Sequence, residues 1–573
     1  MKEQIKLENV TFQYPGGEKP VLNDISLSIH KGDFVAIVGS NGSGKSTLCK
    51  LINGLIPQYY VGNYTGLVTV NGLVTTEHKV TELSRHVGYV YQDFENQIVS
   101  PRVLEDASFA PLNYGYPDYE KRGKQALHLV DLIGHDQEFV WQLSGGQKHL
   151  LALAGALSLD QDILIIDEPV AQLDPNHAEG VYRILQKLNE VHGKTIIVIE
   201  HHTEFIANYC KQVVLMDSGK VIWKKETREA LQQVDQLMAR QIYPPQVTQA
   251  AYLLEDLKQD VLPITLSEAL AHFTEKPSVW PEVKTEESSL LQKEEKEGIV
   301  EMKDVRFSYK TISRSRKTIL ENINLTIHRG DIIALVGNNG AGKSSLMKLI
   351  TGLIKPESGE ITVYGKNTHK CSPEQLADDV TYIYQNPEEM FIEDSVRKDV
   401  EFFLKSRKVA GYSEQVDQIM AQFELQDLET CDGRLMSGGQ QRRASLAIGV
   451  AMNPSVILLD EPTANLDIAT RKQITRLIAN LQNQIDGVVI ATHDMQLVAE
   501  LANRIIVLHE GRIIHDGNRE SVFSNTGLLE QAGLTPPQIL MLSKELNMVP
   551  LNYTVDEFTS AWKHKEGQYG IYA

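Results

Sequence analysis

The chain holds 573 residues, 42% of them hydrophobic, 23% charged and 7% aromatic, enough apolar material for more than one core, which excludes collagen-like, fibrous and largely disordered chains. Its 56 basic and 75 acidic residues leave a net charge of −19, an average field that repels a nucleic-acid backbone, so no nucleic-acid partner is expected. The four cysteines (Cys49, Cys210, Cys371, Cys431) stand far apart without metal-ligand spacing, as expected of a reducing compartment, and with no apolar signal core and no run of 18 apolar residues the chain is expected neither to span a membrane nor to be secreted.

The first element, LENVTFQY (7–14), alternates apolar and polar residues and reads as a peripheral antiparallel strand. FVAIV (34–38), bounded by Asp33 and Gly39, is a short continuous apolar run and reads as a buried strand. It leads into Gly39, Ser40, Asn41, Gly42, Ser43, Gly44, Lys45, Ser46 and Thr47, after which residues 46–55 have helical spacing. This is the phosphate-loop pattern in its required setting between strand and helix. Glycines let backbone N–H groups curl around phosphate oxygens, Lys45 reaches the β- and γ-phosphates, and the Ser46 hydroxyl can ligate Mg²⁺. Ser144, Gly145, Gly146 and Gln147 precede another helical stretch and offer a second anion-binding device at a helix N-terminus, although an SGG triplet by itself is more often a turn. ILII (163–166) reads as a strand ending in Asp167 and Glu168. A carboxylate at the end of a buried strand calls for a cation, and Mg²⁺ is the natural partner of Asp167. Glu168 suits orienting or deprotonating a water, or else capping a helix. Residues 178–191 have helical spacing, and TIIVI (195–199) reads as a further buried strand.

All of this then recurs. Residues 21–55 reappear as 319–353, and with them Gly337, Asn338, Asn339, Gly340, Ala341, Gly342, Lys343, Ser344 and Ser345 repeat the phosphate loop. Ser437, Gly438, Gly439 and Gln440 repeat the SGGQ run, 23 residues before Asp460 as Ser144 is before Asp167, and Glu461 follows. Two matches in register remove chance as an explanation. Tyr243-Pro244-Pro245-Gln246 is echoed by Thr535-Pro536-Pro537-Gln538, so each copy is expected to end in a short helical appendix. Lys276 to Glu297 is polar, holds two prolines and lacks an apolar period, which reads as a solvated linker. The expected division is 1–235, an appendix at 236–275, the linker at 276–297, 298–525, and a second appendix at 526–573.

Phosphate loop, SGGQ signature and apolar strand ending in Asp-Glu, in that order, resemble the nucleotide-binding domain of the ABC ATPase superfamily over nearly the whole chain, twice. The resemblance implies an α/β fold of two tandem ABC ATPase domains of the P-loop NTPase class. Each would have a mainly parallel sheet core, a peripheral antiparallel sheet, a helical signature subdomain and the appendix, and each would hydrolyse ATP with Mg²⁺. By position it implies that Tyr14 and Tyr309 stack on adenine, where they would equally serve as strand-end core tyrosines. Gln92 and Gln385, each 52 residues before the signature serine, become the glutamines that sense Mg²⁺ and a membrane partner. Asp174 and Asp467 fall in the D-loops, and His201 and His493 match the switch histidine at the γ-phosphate. In that family two domains pack head to tail. One composite site would join Lys45, Gln92, Asp167, Glu168 and His201 to Ser437–Gln440, and the other Lys343, Gln385, Asp460, Glu461 and His493 to Ser144–Gln147. The departures are Met436 for the usual leucine, Lys148-His149 opposite Gln441-Arg442-Arg443, and Ala171-Gln172 in the first D-loop; none removes a catalytic group.

The Pro-Pro appendices and Gln385-Asn386-Pro387-Glu388-Glu389 resemble the paired ATPases of energy-coupling-factor importers, whereas Gln92-Asp93-Phe94-Glu95-Asn96-Gln97 lacks the proline. This implies a peripheral protein on the cytoplasmic membrane face, partnered by a coupling subunit and a substrate-binding membrane subunit for a vitamin or transition metal. The alternatives are a ribosome-associated translation factor of the ABC-F type and a fused sugar-importer ATPase. The first should carry a basic interdomain segment, yet residues 246–298 hold five basic and eleven acidic residues. The second usually has one eroded site, and both sites here keep their residues.

Overall fold

The computed structural model describes residues 2–170, 173, 175–254, 261–274, 297–310, 316–482 and 484–569. The chain divides into two compact units, Met1–Lys276 and Pro277–Ala573, built on one topology. In the first, the strands Leu22–His30, Glu3–Gln13, Asn63–Val70 and Leu73–Val74 form an antiparallel sheet in that order. A six-stranded sheet runs Lys220–Glu226, Gln212–Asp217, Phe34–Val38, Thr195–Ile199, Ile163–Asp167, Val87–Val90; every pair is parallel except the edge strand 220–226 on 212–217. The second unit repeats both orders, its six strands being Arg512–Gly517, Arg504–His509, Asp331–Val336, Gly487–Ala491, Val456–Asp460 and Val380–Ile383. Each unit is therefore α/β, a mainly parallel core with a peripheral antiparallel sheet.

The short apolar runs make this arrangement because a parallel strand is covered on both faces. Along Phe34–Val38, Val35 and Ile37 join the core shared with the antiparallel sheet and the helix Lys45–Ile52, whereas Phe34, Ala36 and Val38 join the core under the helices of the opposite face. Alternate side chains of one strand thus feed two cores. The helix expected at 46–55 spans Lys45–Ile52 and stops early. Asn53 caps it and Gly54 follows at φ +79°, the left-handed residue that ends a helix although the apolar spacing runs on to Leu55.

After the sheets, Gln246–Leu253 and Leu266–Thr274 close the first unit, and Gln538–Glu545 and Val555–Tyr569 close the second. Pro245 and Pro537 stand at the N-caps of the leading helices. The linker read at 276–297, apart from Glu297, and Ala171, Gln172 and Asp174 of the first D-loop lie outside the described residues. Among the described residues no helix is long and apolar enough to cross a membrane.

Candidate functional site

Each phosphate loop turns from a strand end into a helix whose first residue is its lysine. Gly44 precedes Lys45 at φ +98°, and a Cβ there would lie 2.9 Å from the Val21 carbonyl oxygen; Gly342 precedes Lys343 at φ +105°, where a Cβ would lie 2.7 Å from Leu320 Cδ2. The loop is therefore closed to any larger residue at that point. Lys45 Nζ donates to the carbonyls of Gly39 (2.8 Å) and Ser40 (3.0 Å), and Lys343 Nζ to those of Gly337 (2.7 Å) and Asn338 (3.3 Å). Both ammonium groups are folded back into their own loop, where phosphate oxygens would be better partners than carbonyls. The buried Ser43 hydroxyl has no hydrogen-bond partner among the described residues. Backbone N–H groups, a cation and an unsatisfied hydroxyl together make a polyphosphate cradle.

At the neighbouring strand ends, Asp167 and Asp460 are buried. Burial pushes both carboxyls above the usual carboxylate range, opposed by the hydroxyls of Ser46 and Tyr89 in one unit and of Tyr382 and Ser344 in the other. Carboxylate and serine hydroxyl form a hard oxygen donor set that fits Mg²⁺. The two tyrosines were missed in the sequence. Tyr89 Oη donates to Asp167 Oδ2 at 3.4 Å and Tyr382 Oη to Asp460 Oδ2 at 2.5 Å, and the signal was the repeated Tyr-x-Tyr-Gln that ends in Gln92 and Gln385.

Glu168 and Glu461 occupy the left-handed region, φ +53° and +45°, a strained setting that concentrates at functional positions. Their own N–H groups are tied to the next strand, Glu168 to the carbonyl of Ile199 and Glu461 to that of Ala491. Around the carboxylates the units differ. Gln92 Nε2 donates to Glu168 Oε2 (2.7 Å), and His201 Nε2 stands 3.3 Å from Oε1. Glu461 instead has His493 Nδ1 at 3.0 Å and accepts from the Thr492 hydroxyl at 3.2 Å. Burial would raise the Glu461 carboxyl, but His493, Lys343 and Thr492 outweigh it and hold it below its ordinary range. Burial works against a charged His493 ring, yet Glu461 raises its pKa overall. The structure thus brings Glu168, His201 and Gln92 together in one unit and Glu461 and His493 in the other.

Tyr14 is half-buried, its ring edge-on to Phe12 and its hydroxyl 3.5 Å from Thr47 Oγ1. Tyr309, edge-on to Phe307, is exposed and free to stack. Ser144 and Ser437 are the N-caps of the helices Gly145–Leu157 and Gly438–Ala451. Gln147 and Gln440 side chains accept from the serine N–H groups (2.9 and 3.0 Å), closing capping boxes. The signature glutamines therefore have a local structural part, while both serines stay exposed on their own unit. Asp467 caps the helix Ile468–Leu481, accepting from Thr470 N–H at 2.8 Å.

The signature helices also grip the loops that carry Gln92 and Gln385. Buried Arg442 donates to the carbonyls of Tyr384 (2.9 Å) and Gln385 (2.6 Å). In its place the first unit has buried His149, whose ring packs on Phe94 at 4.8 Å, and Lys148 pairs with Glu95 at 2.8 Å. Phe94 is therefore a core residue. The next turn is pinned in both units by a buried aspartate that no sequence signal marked: Asp106 accepts from the N–H groups of Val99 and Ser100, and Asp399 from those of Ile392 and Glu393.

With this geometry in hand, the comparisons with known proteins are direct. The family model described as ABC transporter matches residues 22–171 and 320–464. A Caldanaerobacter subterraneus protein bearing the description ABC transporter ATP-binding protein is 33% identical over 98% of this chain and 99% of its own. A Methanosarcina mazei protein of the same description is 33% identical over 97% and 96%. Among solved structures, cbiO1 of Clostridium perfringens, titled as part of the ABC transporter complex cbiONQ, is 29% identical over 42% of this chain and 96% of its own, with a TM-score of 0.38. The chain belongs to the ABC transporter ATP-binding proteins, with two ATP-hydrolysing domains in tandem.

Proposed function

We propose that this chain is the paired ATPase of a membrane importer of the energy-coupling-factor type, acting on a vitamin or transition metal from the cytoplasmic face of the membrane. Its two halves close head to tail on two ATP molecules. The observation that carries the reading is a set of apolar side chains left in water just after each sensing glutamine: Val99 (60% exposed), Phe109 and Leu112 in the first unit, Ile392 (63% exposed) and Phe402 in the second. Exposed apolar residues at matching positions on both copies of an acidic chain suit a protein partner. Asp106 and Asp399 fix the backbone that presents them. The Pro-Pro appendices and the Gln-Asn-Pro-Glu-Glu run support the importer class.

In this reading Lys45 and Lys343, with the N–H groups of their loops, hold the β- and γ-phosphates. Ser46, Asp167 and Gln92, and Ser344, Asp460 and Gln385, would hold Mg²⁺, which when bound draws charge from the phosphate oxygens. Glu168 and Glu461 orient the attacking water and accept its proton, a task that the close histidine and amide partners support. His201 and His493 donate to the γ-phosphate. The opposing signature adds N–H groups at a helix end to each site.

The test is fractionation of native cells in moderate salt. The chain is expected in the membrane fraction, resistant to ribonuclease, and Phe109→Ser with Ile392→Ser is expected to release it while hydrolysis persists. Cosedimentation with ribosomes and absence from membranes would contradict the proposal.

A further inference from the structure

The residue before the switch histidine differs between the units. Strand register sets Glu200 opposite Thr492, because the preceding Ile199 and Ala491 pair with Asp167 and Asp460 respectively. In the second unit the task of fixing this loop is shared. The Thr492 hydroxyl accepts from Asp494 N–H (3.0 Å), and Asp494 caps the next helix through Gln496 and Leu497 N–H and holds Thr463 and Arg471. The first unit has His202 in place of Asp494, so neither part of that arrangement is available.

Glu200 replaces it from one position. It is 2% exposed. One carboxylate oxygen accepts from two successive backbone N–H groups, those of His201 (2.7 Å) and His202 (2.8 Å). The other accepts from the Tyr182 hydroxyl at 2.6 Å. Tyr182 is itself fully buried, its ring stacked on Phe205 (4.7 Å) and Tyr209 (5.1 Å). Both oxygens are thus fixed, one by the loop and the other by an immobile ring. Burying a carboxylate is costly, and an apolar residue at a strand end would avoid the cost. What the carboxylate adds is a rigid double acceptor directly under the histidine whose Nε2 lies 3.3 Å from Glu168.

We propose that Glu200 is a positioning residue for ATP hydrolysis in the first unit: by holding the N–H groups of His201 and His202 it sets the His201 ring against Glu168 and the γ-phosphate. The two units therefore seat one catalytic histidine by different chemistry, a buried carboxylate in the first and a threonine–aspartate pair in the second. The inference rests on the reading of His201 as the switch histidine.

The test is steady-state ATP hydrolysis by the full chain carrying Glu200→Ala, Glu200→Gln, Tyr182→Phe or His201→Ala, with melting curves as the check on folding. Misplacing a group in an otherwise intact site lowers turnover more than binding. Glu200→Ala is expected to lower kcat about as far as His201→Ala does while KM for ATP stays within about twofold. Glu200→Gln keeps a carbonyl oxygen for both N–H groups and can turn its amide to Tyr182, so it is expected to retain at least about half of kcat. Tyr182→Phe, which removes only the third hydrogen bond, is expected to fall between them, and these two milder variants carry the test should Glu200→Ala fail to fold. Native kcat in Glu200→Ala beside an impaired His201→Ala overturns the proposal, as does a Gln variant as impaired as the Ala variant. Native turnover in His201→Ala removes the reading of the site, and this proposal with it.

Discussion

His149 stands where the second unit has Arg442, and burial alone accounts for its chemistry. Its ring lies on Phe94, its Nδ1 has no hydrogen-bond partner among the described residues, and burial pushes its pKa down to about 4. A neutral ring costs little there and a charged one would cost much. In the unfolded chain the same histidine titrates near its ordinary value of about 6.5. As pH falls below that value the unfolded state takes up a proton that the folded state refuses, so stability present above pH 6.5 drains away until the folded ring titrates near 4. About 3 kcal/mol is at stake. His149→Leu is therefore expected to melt within a few degrees of the native chain at pH 7.5 and progressively above it as pH falls toward 4.5. Parallel melting curves for the two chains across that range would show that His149 does not carry this acid sensitivity.

At the scale of elements, each signature helix holds the loop that carries Gln92 or Gln385. In the second unit this is done by a single buried cation: burial pushes the Arg442 guanidinium down to about 10, and it spends two N–H groups on the carbonyls of Tyr384 and Gln385. Arg442→Met fills much of the same space but leaves both carbonyls without their donor. The loss of a buried, charge-assisted pair of hydrogen bonds is on the order of 3 kcal/mol, which lowers the melting temperature of a unit this size by several degrees. Hydrolysis is expected to fall as Gln385 loosens. Unchanged melting and turnover in Arg442→Met would mean that the loop is held from elsewhere. The strands were legible because runs of four or five residues, nearly all apolar and bounded by glycine or charged residues, admit little else. The end of the first helix was not, since apolar spacing continues past Asn53-Gly54. Arg442, Asp106, Tyr89 and Glu200 were not legible for a different reason. Arg442 and Tyr89 act on segments that only the fold brings beside them, whereas Asp106 and Glu200 hold N–H groups within seven residues in turns that no local pattern marks, and nothing local distinguishes Glu200 from an ordinary strand-end acid. The phosphate loops and the Asp-Glu strand ends were legible because their groups lie within a few residues of one another and recur at fixed spacing, whereas His201 and His493 came from the family resemblance.

For the whole molecule, duplication places two ATPase units on one chain, each with its glycine-rich loop, paired acids and a histidine beside its glutamate. The two are not chemically equal. Gln92 pairs with the glutamate of the first unit and Thr492 with that of the second, and the loop that Arg442 holds in the second is met in the first by His149 and Lys148. The proposed function requires that the signature of one unit meet the phosphate loop of the other when ATP is bound. Its most direct test is a cross-linking measurement on the Glu168→Gln, Glu461→Gln chain with Cys371 and Cys431 replaced by serine, since Cys49 and Cys210 are buried. Cysteines placed at Ser40 and Ser437 are expected to join through a short bismaleimide within one chain when Mg²⁺ and ATP are added and to remain separate without nucleotide. The control pair, Ser40 and Ser144 of the same unit, is expected not to join. Nucleotide-dependent linkage of the Ser40–Ser144 pair, with none between Ser40 and Ser437, would contradict the claim.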